Sequence, residues 1–461
     1  MKITVLNGSP KGDLSVTLHY VHFIQKKFPQ HEWKVFNIGP QIKKIEKDEK
    51  AFQEIMDDVR SSDGVLWAFP LYYLLVSSQY KRFIELIWER GTADFFKNKY
   101  TALLSTSIHF FDHTAHNYMN AICDDLEMKY LGSFSAAMYD LLSRKQRERW
   151  TLFASEFFDG IQNCVPTSKK FSPVLYRTFN FVPSPAGHKI STQGKKVLIL
   201  TDLKDPQTNL SKMIERFKNS FMDGVKVINL HQVDIKGGCL GCIQCGYDYQ
   251  CSYGNQDEYV QFYKDQVKNA DILVFAGTIQ DRYLSSRWKM FFDRSFFHTH
   301  TPSLTEKQVG FILSGPLRQI PNLRQILEAY TEWQQANLVD IVTDEEEGSH
   351  ELDARLQHLA ERVIHLAEKN YIKPKTFLGV GGMKIFRDDV WGKLRFPFQA
   401  DHQFYKKHHL YDFPQRKYKT RVINSILILL TKIPSMRKEI YRKRMKEEML
   451  KPLQKVVDGV Q

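Results

Sequence analysis

The segment KITVLNGSPKGDLSVTLHYVHFIQKKF, residues 2–28, contains the unit from which the rest of the predicted fold follows. Its first six residues form a β-branched run that predicts a strand, and its last fourteen have helical spacing. A turn with Gly8 and Gly12 joins the two. Strand, glycine turn and helix in this order form the beginning of a βαβ unit, which is typical of parallel sheets.

The same alternation continues to residue 161. Four further runs predict strands: EWKVFNI, DGVLWAFP, KYTALLSTS and KYLGSFSAAM. Four further helices are predicted between and after them: EKAFQEIMDDVRSS, SSQYKRFIELIWER, HTAHNYMNAICDDL and RKQRERWTLFASEFFDGI. Five strands that alternate with five helices indicate a parallel sheet covered on both faces.

The pattern restarts near Lys195 with KKVLILTD and NLSKMIERFKNSF, and it then repeats the same order, which indicates an internal repeat of domain size. The predicted class is therefore α/β, with two tandem doubly wound parallel sheets. The predicted segments are a first domain at 1–163, a Pro/Ser/Gly-containing linker at 164–194, a second domain at 195–371, and a basic, aromatic tail at 372–461. A final helix is expected in the tail near residues 437–457.

The distribution of charge limits the functional class. The chain of 461 residues has a net charge of +13, and the segment from Lys373 onward has 21 Lys and Arg against 8 Asp and Glu. The tail therefore carries all of the excess, and a nucleic-acid-binding protein is not expected. We read no signal peptide at the N-terminus, and the apolar run Val422–Leu430 is far shorter than the roughly 20 residues of a membrane span. A cytoplasmic location is predicted, where disulfides are disfavoured.

The turn at Asn7–Thr17, NGSPKGDLSVT, predicts an anion site. A glycine turn between a strand and a helix aims free backbone N–H groups at a bound anion. Ser9, Ser15 and Thr17 add hydroxyl donors, and Lys11 adds a positive charge. The spacing matches neither the Walker motif nor the dinucleotide-binding fingerprint. An ordinary N-capped turn is the alternative, but hydroxyls bunched at a strand end favour anion binding.

Together with FPLYYLLVSSQYKRFIELI (residues 69–87), this turn resembles the flavodoxin-like NAD(P)H-dependent FMN reductases. The resemblance implies flavodoxin-like domains, FMN and NAD(P)H as cofactors, and a phosphate loop followed by two loops along the flavin ring. The implied FMN contacts are Ser9, Lys11, Ser15, Val16, Thr17, Pro70, Leu71, Tyr72, Tyr73, Ser105, Thr106 and Ser107. Many such reductases hold FMN at a dimer interface, and a tandem copy could supply both halves from one chain.

The chain departs from the family pattern at two places. Leu14 stands where Asn is common, and Asp13 adds a negative charge beside the loop. The second copy, TDLKDPQTNLS, has no glycine and has Asp202 and Asp205 instead. FMN is therefore expected in the first domain and not in the second, although Thr208, Asn209 and Ser211 leave a phosphate site there open.

The segment GGCLGCIQCGYDYQC (residues 237–251) predicts a metal or redox centre. Its spacing, C-x2-C-x2-C-x5-C, is similar to that of the iron–sulfur flavoproteins, which implies a [4Fe–4S] cluster on Cys239, Cys242, Cys245 and Cys251. Structural zinc is one alternative, although zinc thiolates usually occur as two separated pairs. A loop that holds no metal is the other, and two disulfides are disfavoured in the cytosol.

Histidines beside the expected ring are the candidate proton donors. His113 and His116 open the predicted helix after the fourth strand, so either could protonate a reduced substrate. Capping or solvent-facing histidines are the alternative. His298 and His300 in FFHTHT are equally open to both interpretations.

These features predict an FMN-dependent oxidoreductase that passes electrons from NAD(P)H to a small organic acceptor, directly or through a cluster. The alternatives are an electron-transfer adaptor between protein partners, without a small-molecule substrate, and a scaffold that binds no cofactor. For the tail, packing of the apolar run on the body is preferred. The functional hypothesis is peripheral attachment to an anionic membrane or to an acidic redox partner.

Overall fold

The computed structural model describes residues 1–185, 187–345, 348–413, 417–441 and 445–459. The chain divides into two compact units, Met1–Phe404 and Tyr405–Gln461. The first unit contains both sheets. The helix predicted near residues 437–457 falls partly on residues 442–444, which lie outside the described ranges.

The first sheet has five parallel strands in the order β2-β1-β3-β4-β5. Its central strands are buried over nearly their whole length, as expected for a sheet covered on both faces. The strands are β1 (Lys2–Asn7), β2 (Glu32–Asn37), β3 (Gly64–Pro70), β4 (Tyr100–Ser107) and β5 (Lys129–Ala137). The helices are α1 (Val16–Lys27), α2 (Ile38–Lys47), α3 (Glu49–Ser61), α4 (Ser78–Glu89), α5 (Asp112–Asp125) and α6 (Arg144–Gln162).

The second sheet repeats this order with five parallel strands, β11-β10-β8-β6-β7, and a two-residue strand, β9, that pairs antiparallel with β8. Its strands are β6 (Val197–Thr201), β7 (Val225–Asn229), β8 (Ile272–Gln280), β9 (Tyr283–Leu284), β10 (Gln308–Ser314) and β11 (Asn337–Thr343). Its helices are α7 (Asn209–Lys218), α8 (Cys245–Asp248), α9 (Tyr259–Phe262), α10 (Ser286–Arg294), α11 (Pro321–Trp333) and α12 (Ser349–Glu368).

Five more helices follow the second sheet: α13 (Phe377–Trp391), α14 (Gln399–Lys407), α15 (Tyr418–Leu430), α16 (Pro434–Glu439) and α17 (Met445–Asp458). The predicted fold class is confirmed, including the helical tail. The sequence analysis did not predict α2, α8, α13 or α14. The segment DEYVQFYKDQVKNA (residues 257–270) reads as one helix in sequence, but the structure has the short α9 there, followed by a π-helical turn at Tyr263–Val267. The predicted domain boundaries stay a prediction.

Helices α4 and α10 occupy equivalent positions in the two copies and pack against each other. Each has an internal ion pair: Lys81 Nζ lies 3.1 Å from Glu85 Oε1, and Lys289 pairs with Asp293. All four side chains are almost completely buried. The two copies therefore meet along a buried, charged seam.

Each helix also caps the other. Glu85 accepts hydrogen bonds from the backbone N–H and the hydroxyl of Ser286, both at 2.6 Å, at the start of α10. Asp293 accepts one at 2.7 Å from the backbone N–H of Ser78, at the start of α4. A carboxylate at a helix N-terminus is favourable because it satisfies free N–H groups and opposes the helix dipole. The reciprocal contacts relate the two copies by an approximate two-fold axis.

Candidate functional site

A cavity of about 320 Å³ opens at the carboxyl ends of the strands of the first sheet, where doubly wound sheets bind ligands. Its volume lies within the range of small-molecule sites. The residues of the first domain that line it are Ser9, Lys11, Ser15, Val16, Thr17, Pro70, Leu71, Tyr72, Tyr73, Leu74, Thr106, Ser107, Ile108, Phe110 and Met138. The structure thus brings together all of the predicted FMN contacts except Ser105.

One end of the cavity is rich in hydroxyl groups. Ser15 is the N-cap of α1, and its Oγ accepts a hydrogen bond of 3.1 Å from the backbone N–H of Leu18. The hydroxyls of Thr17 and Thr106 lie 2.6 Å apart. Ser9, Ser15 and Thr17 are nearly inaccessible to solvent, and Lys11 is exposed at the rim. A helix N-terminus, three hydroxyls and one lysine form an arrangement that suits a phosphate.

The phosphate-loop conformation depends on Gly8. A Cβ at this position would lie 2.5 Å from the ring of Tyr80. Tyr80 is held in place because its hydroxyl donates a 2.6 Å hydrogen bond to the carbonyl of Leu6. Nearby, Asn37 donates a 2.9 Å hydrogen bond to the carboxylate of Asp13, which keeps that negative charge on the solvent side of the loop.

The middle of the cavity is bounded by a strained turn after β3. Tyr73 and Leu74 adopt φ values of 37° and 66°, a region that non-glycine residues rarely occupy. Tyr72 and Leu75 close the turn through two backbone hydrogen bonds of 2.7 and 3.1 Å. Backbone strain of this kind is often retained where a side chain must be aimed at a ligand. Burial raises the pKa of Tyr72 and of Tyr73, so both hydroxyls stay protonated.

The other end of the cavity comes from the rest of the compact unit and is mostly aromatic. The second domain contributes Gly241, Ile243, Phe296, Thr299, His300, Tyr330 and Trp333, and the segment after it contributes Phe386, Leu394 and Phe398. Of these residues, only His300 in FFHTHT and Gly241 and Ile243 in the cysteine segment lie in stretches that the sequence analysis singled out. Their spacing reflects separate helices and loops that meet only in the fold.

The structure places the two predicted catalytic histidines outside this cavity lining. His113 is exposed, and His116 Nε2 lies 2.7 Å from the hydroxyl of Ser105, itself fully buried behind the lining. Burial lowers the pKa of His116 even though Asp112 opposes the shift. Neutral at pH 7 and engaged with Ser105, His116 is poorly suited to donate a proton. Burial also lowers the pKa of His298, to about 3, which is typical of a neutral packing histidine.

Residues 1–140 match the family model of the NADPH-dependent FMN reductases. Over these residues the chain is similar to that family. The match spans the Asn7–Thr17 turn, the Pro70–Tyr73 turn and the end of β4, and it ends before the second sheet.

The solved structures to which part of the chain is similar include three reductases. FerB, an NAD(P)H:acceptor oxidoreductase from Paracoccus denitrificans, is 18% identical, with a TM-score of 0.30, over 35% of this chain and 97% of its own. The NAD(P)H:quinone oxidoreductase of Methanothermobacter marburgensis is 12% identical, with a TM-score of 0.28, over 36% of this chain and 98% of its own. An FMN-dependent NADH-azoreductase from Bacillus anthracis is 15% identical, with a TM-score of 0.25, over 36% of this chain and 99% of its own. A comparison with curated proteins gave no match.

The counterpart of the Asn7–Thr17 turn in the second domain carries a carboxylate. Asp202, at the end of β6, is 9% exposed and accepts a hydrogen bond from Ser285. Burial raises the pKa of Asp202. Asp281 and Arg282 repeat the left-handed turn of Tyr73 and Leu74, but Arg282 pairs with Asp125 of the first domain at 2.5 Å. The second copy keeps the backbone of the site and uses its side chains to join the domains.

The cysteine segment lies against the first domain. Gly241 and Ile243 line the cavity on either side of Cys242, and Gln79 donates a 3.0 Å hydrogen bond to the carbonyl of Cys239. Cys242 is exposed and Cys245 is buried. Among the described residues, no three His, Cys, Asp or Glu side chains are grouped as a metal site. The predicted [4Fe–4S] cluster is thus not supported by this arrangement of the loop.

Gly241 is expected to be essential to the shape of the cavity. Its φ is +64°, and a Cβ would lie 2.0 Å from the hydroxyl oxygen of Tyr72. Gly241→Ala should displace Tyr72 and weaken FMN binding about tenfold or more, since overpacking costs about 1–3 kcal/mol. Titration of the apoprotein with FMN, followed by flavin fluorescence, measures this effect.

Gly254→Ala is the matched control. Gly254 also has a positive φ, +50°, but a Cβ there would meet nothing within 4 Å. Both variants should lose about 1–2 kcal/mol of stability through the left-handed backbone. Equal FMN affinities for the two variants would contradict a role of Gly241 at the cavity.

Proposed function

We propose that the protein is an FMN-dependent NAD(P)H oxidoreductase that reduces a small organic acceptor. The observation that carries this proposal is a cavity with a hydroxyl-rich end at the start of α1 and an aromatic end between the two domains. The two ends fit the two parts of FMN, its phosphate and its flat ring. Gly241 packs against the hydroxyl of Tyr72, so a larger side chain there would displace a residue of the lining.

In this proposal Ser9, Ser15, Thr17 and the N-terminus of α1 bind the phosphate, and Lys11 balances part of its charge. The Pro70–Tyr73 turn and Thr106–Ser107 border the ring. When bound, FMN accepts a hydride from the nicotinamide and supplies two electrons to the acceptor. The aromatic side chains of the second domain exclude water from the ring end and offer flat surfaces to a planar acceptor.

The test is made on purified full-length protein reconstituted with FMN. We expect about one FMN per chain, because the second copy carries Asp202 at its corresponding loop. We also expect steady oxidation of NADH or NADPH when a quinone such as menadione is added. Flavin that is reduced only by a protein donor, and never by NADH or NADPH, would instead support the electron-transfer adaptor.

The cysteine segment allows a second electron acceptor within the chain. The observation that favours it is that Cys242 stands between two residues of the cavity lining, so a redox centre there would be close to the flavin. A [4Fe–4S] cluster would need the loop to rearrange around four thiolates.

Iron and sulfide analysis of anaerobically purified protein tests the cluster. We expect about four irons per chain for a cubane cluster, and loss of this iron in Cys242→Ser. Cys164→Ser is the control, because Cys164 is exposed and outside the segment. Protein that contains stoichiometric zinc or no metal at all would rule the cluster out and leave the zinc or empty-loop alternative.

We further propose that the tail attaches the enzyme to anionic membrane surfaces. Tyr418 to Leu429 of α15 are all exposed, among them Val422, Ile423, Ile426, Leu427, Ile428 and Leu429. Residues 417–438 contain six Lys and Arg and no Asp or Glu. At about 1.5 Å per residue, α15 is only about 20 Å long. No described helix is long and apolar enough to cross a bilayer. An apolar helix with basic neighbours fits the plane of a lipid surface.

Sedimentation with vesicles tests this attachment. The full-length protein should bind phosphatidylcholine vesicles that contain phosphatidylserine at low salt, less strongly at high salt, because salt screens the attraction. Ile423→Gln/Leu427→Gln should abolish binding, whereas Leu152→Gln, an exposed position on α6, should not. Binding that is independent of phosphatidylserine, or self-association without lipid, would contradict the proposal.

A further inference from the structure

His300 and Asp401 form a hydrogen-bonded pair at the aromatic end of the cavity. His300 is part of the lining and is 6% exposed. Its Nδ1 lies 2.7 Å from Oδ2 of Asp401, which is fully buried in α14. Of the histidines in the part of the chain that the structure describes, His300 alone belongs to this lining. The pair joins the second domain to the segment that follows it.

The carboxylate of Asp401 is fixed by further contacts. The hydroxyl of Thr299 donates a hydrogen bond to Oδ1, and the backbone N–H of His300 donates one of 3.3 Å to Oδ2. Thr299 adopts a φ of 50°, a strained conformation for a β-branched residue. These contacts orient Asp401 toward the imidazole and hold the strained backbone in place.

The imidazole ring is fixed by aromatic packing as well. It stacks on Phe386 with a centroid separation of 4.2 Å and meets the edge of Phe398 at 4.5 Å. The ring therefore has little freedom to rotate. Because Asp401 holds a proton on Nδ1, the orientation and tautomer of the imidazole are both set by residues outside the first domain.

We propose that His300 is the proton donor to the acceptor that the flavin reduces, and that Asp401 is its positioning residue. This inference rests on the proposed function. Reduction of a quinone to a hydroquinone consumes two electrons and two protons. The hydride equivalent brings both electrons and one proton, so one more proton is required.

His300 supplies that proton. The N–H bond of the imidazolium breaks as the O–H bond of the product forms, and the neutral imidazole then regains a proton from solvent. The carboxylate of Asp401, 2.7 Å away, stabilises the positive charge of the imidazolium before the transfer. The apolar surroundings strengthen this attraction because they exclude water.

The test compares two acceptors in the FMN-loaded full-length protein. Menadione takes up protons as it is reduced, whereas ferricyanide takes up electrons alone. His300→Gln should lower kcat with menadione by about 10²–10⁴, the usual contribution of a general acid. Asp401→Asn should also lower kcat with menadione. With ferricyanide both variants should stay within severalfold of wild type.

Stopped-flow mixing separates this inference from the proposed function. If NADH and NADPH both fail to reduce the flavin of the wild type, the proposed function is wrong. If they reduce it and His300→Gln is reoxidised by menadione as fast as wild type, His300 is not the donor. A structural role would lower the rates with both acceptors equally, which would also overturn the proposal. If His300→Gln does not bind flavin, the rates of Asp401→Asn with menadione and with ferricyanide are compared instead, and the same outcomes support or overturn the proposal.

Discussion

Glu85→Ala is expected to lower the free energy of unfolding by about 3–5 kcal/mol, the usual cost of removing one member of a buried ion pair. The substitution removes the acceptor for Lys81 and for the first N–H of α10. Lys81 would then retain Asp281 at 3.3 Å. Urea unfolding followed by circular dichroism measures the loss.

Glu89→Ala is the matched control on the same helix. Its carboxylate pairs with Arg82 at 2.7 Å, but its side chain is 38% exposed. Exposed pairs contribute at most about 1 kcal/mol. If Glu85→Ala does not fold, Glu85→Gln keeps the shape and removes only the charge. Losses no larger than that of Glu89→Ala would show that the seam is not a significant source of stability.

Ser15→Asp is expected to abolish FMN binding without unfolding the protein. Aspartate is as good an N-cap as serine, so α1 should keep its start. The new carboxylate would face the bound phosphate, and two like charges about 4 Å apart repel by about 4 kcal/mol at an effective dielectric constant of about 20. The dissociation constant for FMN should therefore rise by about 10³.

Two controls make this experiment specific. Thr208→Asp places the same residue at the N-cap of α7, away from the cavity lining, and should leave FMN binding unchanged. Riboflavin lacks the phosphate, so Ser15→Asp should bind it as well as wild type does. An equal loss of affinity for riboflavin and for FMN would mean that the substitution damages the ring site. An unchanged affinity for FMN would mean that the phosphate binds elsewhere.

The fold could be predicted from the sequence because the strongest signals for it are local in the chain. The buried central strands read as short, mostly apolar runs, and the helices carry their own caps, such as Ser15 before α1 and Asp48 before α3. Helix α2 was missed because it begins at Ile38, directly after β2, with a glycine and a proline in its first turn. Such residues usually indicate a loop.

Only half of the candidate site could be predicted from the sequence, for a physical reason. The phosphate loop and the ring turn are each continuous in sequence, so their hydroxyls and tyrosines could be assigned together. His300 and Asp401 are about a hundred residues apart, and they meet only because α14 packs beside the second domain. No periodicity connects them. The histidines that the sequence favoured, His113 and His116, are near the ring loops along the chain but do not line the cavity.

The reciprocal capping of α4 and α10 joins two copies whose sequences can change independently of each other. In an association of two identical subunits, every substitution enters both active sites at once, and a change that suits one role must be tolerated in the other. Here the halves are covalently joined and separately encoded. Asp281 and Arg282 bind the neighbouring domain, whereas Tyr73 and Leu74 line the cavity. With one flavin per chain, saturation by substrate should follow a simple hyperbola, without the coupling between sites that paired subunits permit.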